Sequence, residues 1–433
     1  MGSLVQAHPE AQERGIADNG NSSYCITTYI PKYRPMRLHL LSTLCCMCLA
    51  VMVSAQQPSH VSACSPTPAD EMPAHYLPLL AHKRVALFSN QTGCLSDGRH
   101  VLDILVEGGI QVTTLFSPEH GFRGTADAGE HVQSQTDSRT GIPILSLYDG
   151  QKPGPSDEAM RRFDLLVVDI QDVGLRFYTY YITMLQLMRR CSEFNREVII
   201  LDRPNPNGHF VDGPLLDMSL KSGVGALPIP IVHGMTLGEL ATMAIGEGWA
   251  PHCRLTVVPC LHYTHQSAYH LPIPPSPNLP DMRAVLLYPS ICYFEGTVLS
   301  LGRGTDHPFQ CYGHPLLQGC TFSFTPSARP GAKHPPLEGQ CCQGVDLSHI
   351  PTDSLYRLSR IDLSYIVDAY RRFPDKKAFW LGGGAFFDKL MGQKRIRQLI
   401  IDGQDASAIE ATWQQDVARF IEQRRPYLLY PIR

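Results

Sequence analysis

Four polar strings in this sequence carry the side chains that proton transfer and anion binding require. They are Asn90-Gln91-Thr92-Gly93, Ser117-Pro118-Glu119-His120-Gly121-Phe122-Arg123-Gly124, Asp169-Ile170-Gln171-Asp172-Val173-Gly174-Leu175-Arg176-Phe177-Tyr178 and Asp202-Arg203-Pro204-Asn205-Pro206. Each follows directly on a hydrophobic run. A turn needs Gly, Asn or Pro at such a place; Glu-His, Asp-x-x-Asp and Asp-Arg together go beyond that need. Glu119 stands out as an acid because His120, Arg123 and two glycines flank it. The second half of the chain adds His233-Gly234, Pro275-Ser276-Pro277-Asn278, Phe294-Glu295-Gly296-Thr297 and Gly302-Arg303-Gly304-Thr305. Paired carboxylates flanking a scissile bond are the usual means of glycoside hydrolysis. Arginines suit an anionic substrate group, which they hold through two parallel hydrogen bonds.

Several of these residues also have a plain structural reading. Asp169 or Asp172 can cap the helix that follows. Asp202-Arg203 can be an internal ion pair, and Asn278 can satisfy backbone groups in its proline-rich loop. His262, His265 and His270 are loosely spaced and read as solvent-exposed. No G-x-S-x-G, G-x-G-x-x-G or G-x-x-x-x-G-K-[ST] string occurs in the expected context, which disfavours an α/β-hydrolase, a dinucleotide and a P-loop. No Cys/His spacing suits zinc, so neither a cofactor nor a metal is expected.

The elements that must position these strings alternate in type. Strands are expected at 84–90, 111–116, 142–148, 164–170, 197–201 and 254–258. Helices are expected at 100–108, 156–162, 176–195 and 236–248, the last opened by Thr236 with Glu239 three positions on. The run 164–170 (DLLVVDI) is apolar throughout, as a strand buried on both faces must be. Strands separated by helices give a parallel sheet with helices on both faces, and ligands then bind outside the carboxyl ends of the strands. The polar strings sit at those ends. Past residue 230 the pattern loosens into a proline-dense loop at 271–280 and helices at 364–372 and 406–424. The domain boundary is expected near 230, with the later strings able to close a cleft over the edge of the sheet.

The 433-residue chain is 43% hydrophobic and 18% charged, with net charge −3. That composition supplies a full core, and without a basic run nucleic acid is not an expected partner. Residues 32–37 are basic, 38–53 apolar, and Val53-Ser54-Ala55 small, which is the layout of a secretory signal peptide. Residues 1–55 are therefore read as an over-long start, with Met36 as the initiator, plus a signal, and 56–75 as a linker. The protein is expected outside the cytoplasm, periplasmic or extracellular. Val61-Ser62-Ala63-Cys64 is a rival site that would make it lipid-anchored. Ten of the fourteen cysteines follow residue 55, and bridges or free buried thiols are equally consistent with them.

Taken in order, SPEHGFRG (117–124), DIQDVGLRFYTY (169–180), LDRPNP (201–206), HGMTLGELA (233–241), SPNLP (276–280), FEGT (294–297), GRGTDHPF (302–309) and RRPYLLYP (424–431) resemble the exo-β-N-acetylmuramidase family, the NamZ or YbbC-like glycoside hydrolases. The resemblance runs from about residue 84 to 430. His209 departs from it, standing where the family usually has a second glycine. The resemblance implies a Rossmann-like domain at 76–230 and a smaller α+β domain at 231–433, with the active site in the cleft between them. It also implies removal of terminal N-acetylmuramic acid from the non-reducing end of peptidoglycan-derived disaccharides and muropeptides. It matches Glu119 to the family's proposed catalytic glutamate, with His120 beside it. Glu295 and Asp169 are candidates for the second carboxylate, unless the substrate's own acetamide attacks. Arg123, Arg176 or Arg303 would clamp the lactyl carboxylate, and Tyr178 or Phe122 would stack on the ring. Asn90, Asp172, Asp202, Arg203, Asn205, His233 and Asn278 complete the expected substrate-binding set. Two other readings use the same residues. One is a non-catalytic muropeptide-binding protein; the other is a metal-assisted hydrolase built on Glu119, His120 and Asp127.

Overall fold

Hydrophobic runs with β-branched residues, buried on both faces in the central strands, form the frame of the molecule, seen here in a computed structural model. It describes residues 65–118, 122, 135–147 and 154–433. Seven strands make one sheet: β1 (Arg84–Ser89), β2 (Gln111–Ser117), β3 (Gln135–Thr136), β4 (Pro143–Ser146), β5 (Leu165–Asp169), β6 (Glu197–Leu201) and β7 (Arg254–Val258). Their spatial order is β3-β4-β2-β1-β5-β6-β7, parallel throughout except for the short β3–β4 pair. Without β3, this is the doubly wound order in which the chain reverses direction across the sheet between β1 and β5.

Both faces of the sheet are covered. Val85, Leu87, Leu165, Val167, Ile199 and Leu201 point into one core with helices α1 (Pro73–Leu80) and α2 (Val101–Glu107). Their alternates Ala86, Phe88, Leu166, Val168, Val198 and Ile200 enter the larger core. That core also takes apolar residues of α3 (Asp157–Arg161), α4 (Tyr180–Glu193) and α5 (Leu237–Gly246). The expected capping box at α5 is present: Thr236 Oγ1 accepts from Glu239 N while Glu239 accepts from Thr236 N. Ser156 caps α3, its Oγ accepting from Ala159 N at 3.2 Å.

Beyond α6 (Met282–Ile291) lies a three-stranded antiparallel sheet, β8 (Cys311–His314), β9 (Phe322–Phe324) and β10 (Cys342–Asp346). Helices α7 (Thr352–Leu358), α8 (Ser364–Arg372), α9 (Ala385–Met391), α10 (Lys394–Ile401), α11 (Ala406–Ala411) and α12 (Gln414–Arg424) follow. The fold class is thus α/β: a mostly parallel sheet with helices on both faces, followed by a smaller part with its own antiparallel sheet.

Several expected boundaries move for identifiable reasons. The helix expected over 176–195 begins at Tyr180, because Leu175 bridges Val232 and Arg176 N donates to Ile231 O. The helix expected over 406–424 breaks at Thr412-Trp413, where the buried Trp413 Nε1 donates to Asp212. Residues 65–75, read as linker, belong to the fold: Thr67 bridges Leu261, and Ala69 N donates to Asp202 O. β7 adds a parallel edge strand past residue 230, so the sheet itself crosses the expected boundary. The nine described cysteines are free thiols.

Candidate active site

The carboxyl ends of the strands are as polar as the sequence promised, but their side chains are largely consumed by one another. Asp169 ends β5 with no exposed surface, and both its oxygens accept from Arg203: Oδ1 from Nε at 2.6 Å and Oδ2 from Nη2 at 3.1 Å. The same Nη2 reaches Asp70, from the segment before α1. The triad is buried, with burial pushing Asp70 up to about 7; Asp169 adds to the rise and Arg203 opposes it. The ion pair expected between Asp202 and Arg203 is therefore replaced by Asp70–Arg203–Asp169. Asp202 instead holds the start of α5: its carboxylate accepts from Thr236 Oγ1 (2.6 Å), Gly238 N (3.0 Å) and Tyr430 Oη (2.6 Å). Burial pushes its carboxyl up to about 6 against those three bonds.

Asn90 and Asn205 serve the backbone in the same region. Asn90 Oδ1 accepts from Thr92 N and Oγ1, and its Nδ2 donates to Tyr180 Oη at 2.9 Å. Asn205 links Asn207 N to Met235 O. Asp172 faces the backbone N–H of Tyr181 at the start of α4, close to the capping role its place suggested. Its Oδ1 accepts from Gly174 N at 2.7 Å, and burial pushes the carboxyl up to about 7 against the backbone N–H groups around it.

Two expected ligand groups lie in the core. The Arg176 guanidinium is fully buried and donates to the carbonyls of Pro214, Ile229 and Leu390, with burial bringing it down to about 10. It holds three segments together and does not line the cavity described below. His233 is likewise buried, its Nδ1 accepting from Met235 N; burial, with Arg424 and Arg176 nearby, holds it down to about 3. His265, read as exposed, is 1% exposed and its Nε2 lies 3.1 Å from Glu239 Oε1.

The open space lies beside these interlocks. A cavity of about 670 Å³ is bounded by the β5–α4 turn, the proline-rich loop, the segment after α6 and the 300–309 loop. That volume falls within the ~300–1,000 Å³ common for small-ligand sites. Four expected residues meet in its wall: Tyr178, Asn278, Glu295 and Arg303. Tyr178 and Tyr180 both donate to Pro275 O, at 2.9 and 3.1 Å, and so tie the strand-end turn to the proline loop. Asn278 Nδ2 donates to Gly331 O, the backbone role that its loop suggested, while still lining the cavity.

Glu295 Oε1 accepts from Arg303 Nη2 at 2.6 Å, and the guanidinium sits over the Phe309 ring at 4.8 Å. Burial of Arg303 works against its charge; Glu295 outweighs that and holds its pKa above the usual arginine value. Gly296, beside Glu295, is required by close approach: a Cβ there would lie 2.5 Å from Phe387 N in α9. Two bulky residues of the wall, Phe309 (φ 55°) and Leu337 (φ 60°), adopt the left-handed region. Such backbone costs about 1–3 kcal/mol at each position and concentrates where a site over-determines the chain.

Leu381, Phe386, Tyr288 and His314 also line the cavity and were missed from the sequence. The available signal was the Gly382-Gly383-Gly384 run between Leu381 and Phe386. Glu119, His120, Arg123 and Asp127 lie outside the described residues; Ser117 and Pro118 deliver the chain to them from the carboxyl end of β2, next to β1. Phe122 is buried against His100, not in the cavity wall. Among the described residues no three His, Cys, Asp or Glu side chains are grouped to hold a metal ion.

Known proteins share this architecture. Residues 85–283 match the family model described as exo-beta-N-acetylmuramidase NamZ, N-terminal, and residues 286–430 match its C-terminal counterpart. The peptidoglycan beta-N-acetylmuramidase NamZ of Bacillus subtilis (strain 168) is 36% identical over 384 residues, which cover 83% of this chain and 90% of that protein. A crystal structure of a DUF1343 family protein from Bacteroides fragilis NCTC 9343 superposes with a TM-score of 0.78 at 52% identity, covering 85% of this chain and 99% of the other. A second DUF1343 family protein from the same organism gives 0.72 at 28% identity, with 84% and 99% covered. With both halves matched, the chain belongs to the NamZ exo-β-N-acetylmuramidase family.

Proposed function

We propose that this protein is an exo-acting glycoside hydrolase that releases terminal N-acetylmuramic acid from the non-reducing end of peptidoglycan fragments. The observation that carries the reading is a cavity with one carboxylate–guanidinium pair among aromatic walls, in a chain whose two halves both match this family. Glu119 is the general acid: its proton goes to the glycosidic oxygen as the bond to the sugar's anomeric carbon breaks. Glu295 takes the second carboxylate role, facing the positive charge that develops at that carbon.

Arg303 reads the lactyl carboxylate, the group that distinguishes N-acetylmuramic acid from N-acetylglucosamine. Chromogenic glycosides of the two sugars test that role. Wild type should favour the muramide strongly, and Arg303→Met should reduce that preference by about 10–100-fold, the worth of a charge-assisted bond. A preference untouched by Arg303→Met would remove Arg303 from the specificity site.

The basic–apolar–small layout of residues 32–55 supports export by a cleaved signal, which would place the protein outside the cytoplasm. N-terminal sequencing of the exported protein should find a chain beginning after Ala55. A chain beginning at a modified Cys64 would contradict that cut.

A further inference from the structure

Most of the cavity wall is buried, including Tyr178, Asn278, Leu279, Leu299 and Phe309. Pro336, Leu381 and Phe386 are its exposed lining residues, and they mark the mouth. Leu381 is 47% exposed and Phe386 39%, in a protein whose other large side chains of this kind are mostly withdrawn from water. An apolar rim on an open cavity has a cost in solvent that a ligand removes by covering it.

The rim is built in, not left over. Thr297 bridges Trp380 in antiparallel fashion, and Val298 N donates to Phe379 O at 3.0 Å. These contacts fasten the chain just before Leu381 to the wall that carries Glu295. Three successive left-handed glycines, Gly382, Gly383 and Gly384 (φ 53°, 68° and 89°), then reverse the chain into α9. Only glycine tolerates such a run cheaply. Immediately past the turn, Phe386 stands on the first turn of α9, whose next residue, Phe387, is the one that Gly296 admits. The FEGT segment therefore sets the carboxylate and the rim in one rigid relation.

We infer that Leu381 and Phe386 form a subsite for the sugar on the leaving side of the scissile bond, an uncharged N-acetylglucosamine ring. This rests on the hydrolase reading above. An exo-acting enzyme takes the chain end into its cavity, so the remaining glycan leaves through the mouth. A pyranose ring presents C–H faces that pack on an aromatic ring, and the exposed mouth residues carry no charge, in keeping with an uncharged sugar. The charged pair lies further in, where the acidic sugar sits.

The test compares two ligands on the Glu119→Gln background, where turnover of the disaccharide is slowed enough for its binding to be measured. Dissociation constants are measured by calorimetry for a muramic-acid-terminated disaccharide with N-acetylglucosamine and for free N-acetylmuramic acid. Phe386→Ala should weaken the disaccharide about tenfold and leave the monosaccharide within about twofold. Leu381→Ala should act in the same direction, and Phe386→Trp should keep the disaccharide affinity. Equal weakening of both ligands, or none, overturns the subsite. If wild type binds the disaccharide but releases no muramic acid, the hydrolase reading fails while the two constants still decide the subsite. A wild-type protein that binds neither sugar overturns both.

Discussion

Replacing Glu119 by Gln is expected to lower turnover of a muramic-acid-terminated disaccharide by about 10²–10⁴-fold, the range that a positioned general acid contributes. The amide keeps the shape and the hydrogen-bonding reach but has no proton to give. A sugar alkoxide is a poor leaving group and needs that proton; a nitrophenolate needs it far less. The loss should therefore be clearly smaller on a nitrophenyl N-acetylmuramide than on the disaccharide. Initial rates on both substrates check the assignment. Equal losses on the two would point to a positioning role, and near-normal turnover of the disaccharide would remove Glu119 from the chemistry.

Arg203→Met is expected to be highly damaging to stability, at about 3–5 kcal/mol, because it strands buried carboxylates that have no other cation partner among the described residues. The loss should depend on pH. An unfolded aspartate gives up its proton near pH 4, whereas burial raises Asp70 to about 7 in the folded protein. Between those values the folded state alone holds the proton, so this group's contribution to stability falls as pH rises. Arg203 opposes the rise, so without it the folded carboxyl moves higher still and the fall extends further toward alkaline pH. Urea unfolding should show a deficit for Arg203→Met that is larger at pH 8 than at pH 5. A deficit under about 1 kcal/mol at pH 8 would mean that the triad contributes no more than an exposed pair.

The frame of the molecule was legible because each central strand is apolar on both faces and bounded by turn residues. The run 164–170 has few alternatives as a structure, and it forms β5 at the centre of the sheet. Helix ends were less legible where tertiary contacts override local pattern, as at Leu175–Val232 and at Trp413–Asp212. The polar strings were visible as chemistry, but residue type does not disclose a partner. Arg203 meets Asp169 and Asp70, which lie 34 and 133 positions away in sequence, and Arg176 meets three carbonyls. A search for ionisable residues therefore gathered structural interlocks together with the cavity pair Glu295–Arg303. It also passed over Leu381 and Phe386, whose side chains carry no ionisable group and whose place at the mouth depends on the glycine turn and on Gly296.

The most direct measurement uses two isomeric disaccharides of N-acetylmuramic acid and N-acetylglucosamine, differing in which sugar is at the non-reducing end. Purified protein is incubated with each, and free monosaccharide is followed by mass spectrometry. Release of N-acetylmuramic acid from the isomer that carries it at the non-reducing end, with the other left intact, is the result expected of an exo-acting N-acetylmuramidase. Cleavage of the other isomer at a comparable rate, or no cleavage of either, would contradict the account.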